Sequence, residues 1–128
     1  MNYCLKGGIL VDPANQRQGC LDVLIEGGLI KAVGPELDPG GATVFSAEGL
    51  YILPGLVDMH VHLREPGRED EESIATGLAA AAAGGFTAVA AMPNTEPPID
   101  QPSLVEFVRR RAEEAGAARV CVVGCLSK

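Results

Sequence analysis

The only two histidines of this 128-residue chain, His60 and His62, stand either side of Val61 in the run Gly55-Leu56-Val57-Asp58-Met59-His60-Val61-His62-Leu63-Arg64-Glu65-Pro66-Gly67. The segment from Ile52 to Val61 is apolar and rich in β-branched residues, which favours a buried strand, and side chains two apart on a strand share a face. The two imidazoles are therefore expected to converge on one point. Neutral imidazole is a common ligand for zinc and similar borderline metals, so the pair would supply half of a metal site. The blander readings are a hydrogen-bonded polar residue at a strand end and a chance coincidence of spacing. Asp58 shifts the balance, because it sits two before His60 on the same parity, where a carboxylate could orient a ligating ring from outside the coordination sphere. Arg64 continues that parity just beyond the strand. An aspartate, two histidines and an arginine at alternate positions are costly to bury unless a ligand or metal compensates them.

The elements that must position these residues follow from the hydrophobic pattern. A strand over Ile52–His62 is followed by a predicted helix from about Glu69 to Ala83, a strand over Ala88–Ala91, a helix from about Ser103 to Ala115 and a strand over Val120–Gly124. Strand alternating with helix implies a parallel sheet. Glu69, Asp70, Glu71 and Glu72 are expected in the first turn of the first helix, complementing the positive end of its dipole rather than binding a cation. The alanines from Ala79 to Ala83 let that helix approach a sheet, and Gly84-Gly85 ends it. Ser103, three before Glu106, suggests a capping box for the second helix. Asn94 falls just past the second strand, where it reads either as a turn residue ahead of Pro97-Pro98 or as a hydrogen-bond donor at the site. Ahead of this region, residues 1–53 read as short strands and tight turns. The runs Leu21–Ile25 and Leu29–Val33 flank Glu26-Gly27-Gly28, a hairpin signal, and Pro39-Gly40-Gly41 and Glu48-Gly49 mark further turns. Nothing in that part gathers titratable groups suited to chemistry, so its expected role is structural.

Composition bounds the function. Hydrophobic residues make up 47% of the chain, enough for a packed core. The net charge of −7 and the lack of a long basic stretch argue against nucleic acid or an anionic membrane surface as partner. No apolar run approaches a membrane span and the N-terminus lacks a signal-peptide pattern, so the expectation is a soluble cytoplasmic protein. Cys4, Cys20, Cys121 and Cys125 form no zinc-knuckle spacing and are expected to be small buried hydrophobes, Cys121 and Cys125 sharing a strand face.

Three linked pieces, Pro54 to Gly67, Ala83-Gly84-Gly85-Phe86-Thr87, and Met92-Pro93-Asn94-Thr95-Glu96-Pro97-Pro98, together resemble the amidohydrolase superfamily, and within it the dihydroorotases of pyrimidine biosynthesis. The resemblance implies an α/β fold, the N-terminal part of a (β/α)8 TIM-barrel metal-dependent hydrolase: residues 1–53 a small β-rich subdomain, residues 54–128 the first βα units of an incomplete barrel. A barrel of this kind needs on the order of 250 residues. The chain is therefore expected to be the N-terminal portion of a longer enzyme and inactive alone. In matching family motifs the histidines bind zinc while the arginine and asparagine hold a substrate carboxylate, which assigns His60 and His62 to zinc and Arg64 and Asn94 to a small-molecule substrate. The reaction implied is interconversion of N-carbamoyl-L-aspartate and L-dihydroorotate, with the general base and remaining metal ligands supplied by later strands. Allantoinase or hydantoinase-type cyclic amidohydrolases are the enzymatic alternatives, and a non-catalytic dihydroorotase-like scaffold of aspartate transcarbamoylase is the non-enzymatic one. Homo-oligomerisation or association with aspartate transcarbamoylase is the protein partnership that the resemblance raises.

Overall fold

The computed structural model describes residues 1–127 and divides into two compact units, Met1–Pro54 and Gly55–Lys128. The first unit is a β layer. Its strands are β1 (Tyr3–Asp12), β2 (Arg17–Glu26), β3 (Leu29–Gly34), β4 (Thr43–Ser46) and β5 (Tyr51–Ile52), with a single 3-10 turn at Pro13–Asn15. Strand order is β3-β2-β1-β4, and β5 also pairs with β1. The expected hairpin is present: Glu26 lies opposite Leu29, and the two intervening residues, Gly27 and Gly28, have φ of 58° and 80°. Positive φ at both central positions is what a two-residue hairpin requires for its twist to match that of the strands, and glycine adopts it without a Cβ penalty.

One buried carboxylate organises this layer. Asp22 is 4% exposed; its Oδ1 accepts the Gly7 N–H at 2.8 Å and its Oδ2 the Leu37 N–H at 2.9 Å. The Lys6 ammonium lies 2.7 Å from Oδ2 and also donates to the Leu37 carbonyl. The Lys6 hydrogen bond, reinforced by the two backbone N–H groups, holds the Asp22 carboxyl below the usual carboxylate range. A depressed folded-state pKa contributes stability that is present above the unfolded pKa, about 4 for aspartate, and is lost as pH falls through the folded value. Lys6 is raised by the same contact, so its contribution persists at all pH values below its alkaline range and does not alter the acid window. Asp22→Asn presents one N–H to an amide donor and is expected to cost about 1–3 kcal/mol at neutral pH. Urea unfolding should show this deficit at pH 7 and a much smaller one near pH 2; equal midpoints for variant and parent at pH 7 would refute the assignment.

The second unit alternates strand and helix: β6 (Leu56–Val61), α1 (Ile74–Ala83), β7 (Phe86–Ala91), α2 (Pro102–Ala115) and β8 (Arg119–Val122). The strands form a parallel sheet in the order β6-β7-β8, in keeping with the expected βαβ pattern. Its core joins Leu63, Val89 and Ala91 to Ile74 and Leu78 of α1 and Val108 and Ala112 of α2, with Ile99 from the intervening loop. Each fully buried aliphatic side chain contributes about 1.5–3 kcal/mol, so this cluster is the main force holding α1 and α2 on the sheet.

Several boundaries differ from the sequence expectation, for physical reasons. The strand expected over Ile52–His62 is two elements, because Leu53–Gly55 leave the ladder between β5 and β6. Helix α1 starts at Ile74 rather than Glu69. Ser73 is its N-cap, in a capping box with Thr76 (Thr76 N to Ser73 Oγ 3.2 Å; Ser73 N to Thr76 Oγ1 3.0 Å). Glu69, Asp70, Glu71 and Glu72 thus precede the helix and do not occupy its first turn; Glu69 instead accepts the Gly67 N–H, and Glu71 pairs with Arg64 and Arg68. The capping box expected at Ser103 is absent: Gln101 is the N-cap of α2, without a side-chain bond, and Pro102 takes the first turn, where its missing N–H costs nothing. The cysteines are all free, yet only Cys4 is buried; Cys20 and Cys121 are exposed. β8 ends at Val122, so Cys125 lies beyond it and shares no strand face with Cys121.

Candidate functional site

The C-terminal end of β6 is built to turn its side chains. In the pairing with β7, Asp58 lies opposite Val89 but Val61 lies opposite Ala91, so β6 spends one extra residue around Met59 and His60. Such an irregularity re-aims side chains and leaves a backbone group without its ladder partner. Asp58 supplies the missing partner, its Oδ1 accepting the His60 N–H at 2.9 Å. The carboxylate therefore engages the histidine backbone and not a ring nitrogen, which corrects the role expected for Asp58. It shapes the strand on which the ring is carried.

The rings of His60 and His62 do come together, their centroids 5.1 Å apart in an edge-on arrangement. Both are exposed, while Val61 between them is half-buried and packs against the helix-covered core. The third participant arrives from the far end of β7. His62 Nδ1 is 2.7 Å from Asn94 Oδ1, and since a carboxamide oxygen can only accept, Nδ1 carries the proton. The Nε2 lone pair of His62 is thereby left for a ligand, the device by which outer groups fix the tautomer of ligating histidines.

Two loops hold Asn94 there. The loop after β6 and the loop after β7 are stitched by the Glu96 N–H donating to the Pro66 carbonyl at 3.0 Å. At Gly67, whose φ is 104°, a Cβ would collide with the Glu96 carbonyl, so the close approach needs glycine on both counts. Within the second loop, buried Thr95 donates to the Pro97 carbonyl and buried Ile99 to the Pro93 carbonyl, folding residues 93–99 back on themselves.

Arg64 departs from the expected parity. β6 has ended at Val61, and Arg64 has φ of 60°, with the Glu65 N–H donating to the Leu63 carbonyl at 2.7 Å across it. Its guanidinium reaches Glu71 (Nε to Oε2 3.4 Å), and Arg68 shares the same carboxylate. The structure thus brings His60, His62 and Asn94 together and leaves Arg64 paired with an acid. From sequence, Glu71 falls among the acids of a helix first turn and Glu65 has no role, because nothing local in Arg64-Glu65-Pro66-Gly67 distinguishes a buried acid from a solvated one.

The donor set fits a cation in part. Two imidazoles converge and one is hydrogen-bonded through Nδ1 to Asn94, leaving Nε2 free, as a zinc site would need. Among the described residues no group of three or more His, Cys, Asp or Glu side chains gathers around the two histidines. No helix among the described residues is long and apolar enough to cross a membrane.

Comparison with known proteins gives these residues a context. A family model described as dihydro-orotase-like matches residues 49–126. Over its whole length the chain is 47% identical to the dihydroorotase of Caldanaerobacter subterraneus subsp. tengcongensis, of which it covers 30%. It is 48% identical over 99% of its length to the dihydroorotase of Pelobacter propionicus, again covering 30% of that protein. Among solved structures, the dihydropyrimidinase from Brevibacillus agri superposes with a TM-score of 0.75 at 31% identity, over 95% of this chain and 26% of that one. The chain therefore spans about a third of the length of the curated relatives it matches. Since the family match runs from Gly49 through both histidines and Asn94 to Leu126, the chain belongs to the dihydro-orotase-like family.

Proposed function

We propose that these residues form the opening βα units of a (β/α)8 barrel in a zinc-dependent dihydroorotase, which interconverts N-carbamoyl-L-aspartate and L-dihydroorotate in pyrimidine biosynthesis. The observation that carries the reading is the meeting of His60, next to last in β6, with His62 and Asn94 just past the C-terminal ends of β6 and β7, the end of a parallel barrel where chemistry is placed. His60 and His62 would hold zinc, which when bound supplies a Lewis acid able to activate water and polarise an amide carbonyl near neutral pH. The chain's own residues do the positioning. Asp58 fixes the backbone at His60, Asn94 fixes the His62 tautomer, and the unused Asn94 amide N–H together with the Arg64 guanidinium would receive the carboxylate of the substrate. Alone, residues 1–128 would lack the remaining ligands and a general base, and so would be inactive.

A second reading, a dihydropyrimidinase-like or hydantoinase-like cyclic amidohydrolase, is favoured by the structural match to a dihydropyrimidinase. Substrates of that kind lack the ring carboxylate that Arg64 and Asn94 would bind. Assaying the full-length protein with carbamoyl aspartate, dihydrouracil, hydantoin and allantoin side by side, with metal analysis of the same preparation, separates the readings. Zinc-dependent turnover of carbamoyl aspartate alone is expected; preferential turnover of an uncharged ring would reject the dihydroorotase assignment, and a metal-free protein inert even with added zinc would point to a scaffold.

A further inference from the structure

Glu65 is a buried carboxylate without a part in the chemistry described so far. It is 4% exposed and joins three pieces of chain. Its Oε2 accepts the N–H of Ile74, the first residue of α1, at 2.7 Å, and its Oε1 accepts Arg111 Nε from α2, also at 2.7 Å. Arg111 is in turn braced by Glu114 at 3.0 Å. A carboxylate at a helix N-terminus and against a guanidinium is favourably placed on both sides.

Immediately before it, Arg64 is the centre of a three-residue turn, with φ of 60° and the Glu65 N–H bonded to the Leu63 carbonyl. A γ-turn with positive φ at a residue other than glycine is rare and strained, and persists only where flanking contacts over-determine it. Both flanks are fixed here: Leu63 is 5% exposed in the core beside Ile74 and Leu78, and Glu65 is bolted to α1 and α2. The consequence is that the Arg64 side chain is thrown outward, away from the core, while its neighbours point inward. Its ion pair with Glu71 is longer and more exposed than any contact of Glu65, so Glu71 does not set the turn.

We propose that Glu65 is a positioning residue for Arg64: by tying the loop after β6 to the start of α1 and to Arg111 of α2, it holds the turn that presents the guanidinium to the substrate carboxylate. This rests on the reading of Arg64 as the carboxylate-binding group. Arg111 is then part of the same device, acting from α2 at a distance in sequence.

The test is steady-state kinetics of the full-length protein on carbamoyl aspartate, with zinc content measured for every variant. Glu65→Gln, which keeps one acceptor, is expected to raise KM by on the order of tenfold or more while kcat and zinc content change little, as for a misplaced binding group. Arg111→Ala removes one anchor from an exposed position and should raise KM in the same direction by a smaller factor, which preserves the test should Glu65→Gln fold poorly. In an Arg64→Ala background neither change should raise KM further, the coupling expected of residues acting through one another. KM effects that persist undiminished in that background, or a raised KM in Arg64→Ala with none in Glu65→Gln and Arg111→Ala, would overturn the proposal alone. An unchanged KM in Arg64→Ala itself would overturn the carboxylate reading and the proposal with it.

Discussion

His62→Ala in the full-length protein is expected to lose its zinc and to lower carbamoyl-aspartate cyclisation by about a thousandfold or more, since Lewis-acid stabilisation is worth several kcal/mol and each 1.4 kcal/mol is a factor of ten. The reasoning starts from geometry: two rings with centroids 5.1 Å apart on one side of β6, one of them with its protonated nitrogen already committed to Asn94. On the proposed reading, removing His62 would remove a ligand, whereas Asn94→Ala would remove only the group bonded to its Nδ1. The milder variant should therefore weaken zinc binding by about 10–100-fold, measured by competition with a chromophoric chelator, and leave an enzyme that excess zinc partly restores. Full zinc occupancy and turnover in His62→Ala would remove the basis of the metal assignment.

Arg64→Ala should act differently, through substrate binding. Hydrogen bonds to charged groups contribute about 1.5–3 kcal/mol each, so losing the guanidinium is expected to raise KM for carbamoyl aspartate by about a hundredfold, with zinc content unchanged. The pairing seen with Glu71 does not oppose this. At 3.4 Å and with both side chains about a third exposed, such a pair is worth at most about 1 kcal/mol, little enough for another carboxylate to replace Glu71. Arg64→Lys should recover only part of the loss, because a single ammonium cannot reproduce the planar, two-pronged donor. A KM for carbamoyl aspartate left unchanged by Arg64→Ala, or activity on allantoin that survives it, would overturn the assignment of Arg64 to a substrate carboxylate.

The parts of this architecture legible from sequence are those encoded over short distances along the chain. Alternation of period two put His60 and His62 on one face, and the rings are together. Gly27-Gly28 between apolar runs marked the hairpin, and the change from strand runs to strand–helix alternation marked the parallel sheet. Where local signals compete, capping and tertiary contacts decide between them. Four consecutive acids looked like the first turn of α1, but Ser73 and Thr76 form the reciprocal cap that starts it. Arg64 looked like a continuation of strand parity, yet the strand stops at Val61 and the backbone reverses at that residue.

Residue types and their local spacing thus determined by themselves that this chain carries a paired-imidazole motif on a parallel-sheet strand, because a two-residue repeat is a property of the extended backbone. Only the tertiary structure decided which groups serve that pair. Asn94 reaches His62 across 32 residues and Arg111 reaches Glu65 across 46. Asp58, just two residues away, turns to a backbone N–H that the irregular β6–β7 pairing leaves free. Such partners are chosen by which loops the packed core brings within hydrogen-bond distance and by which donors the ladder leaves unpaired. Neither is written in the pattern of any one segment.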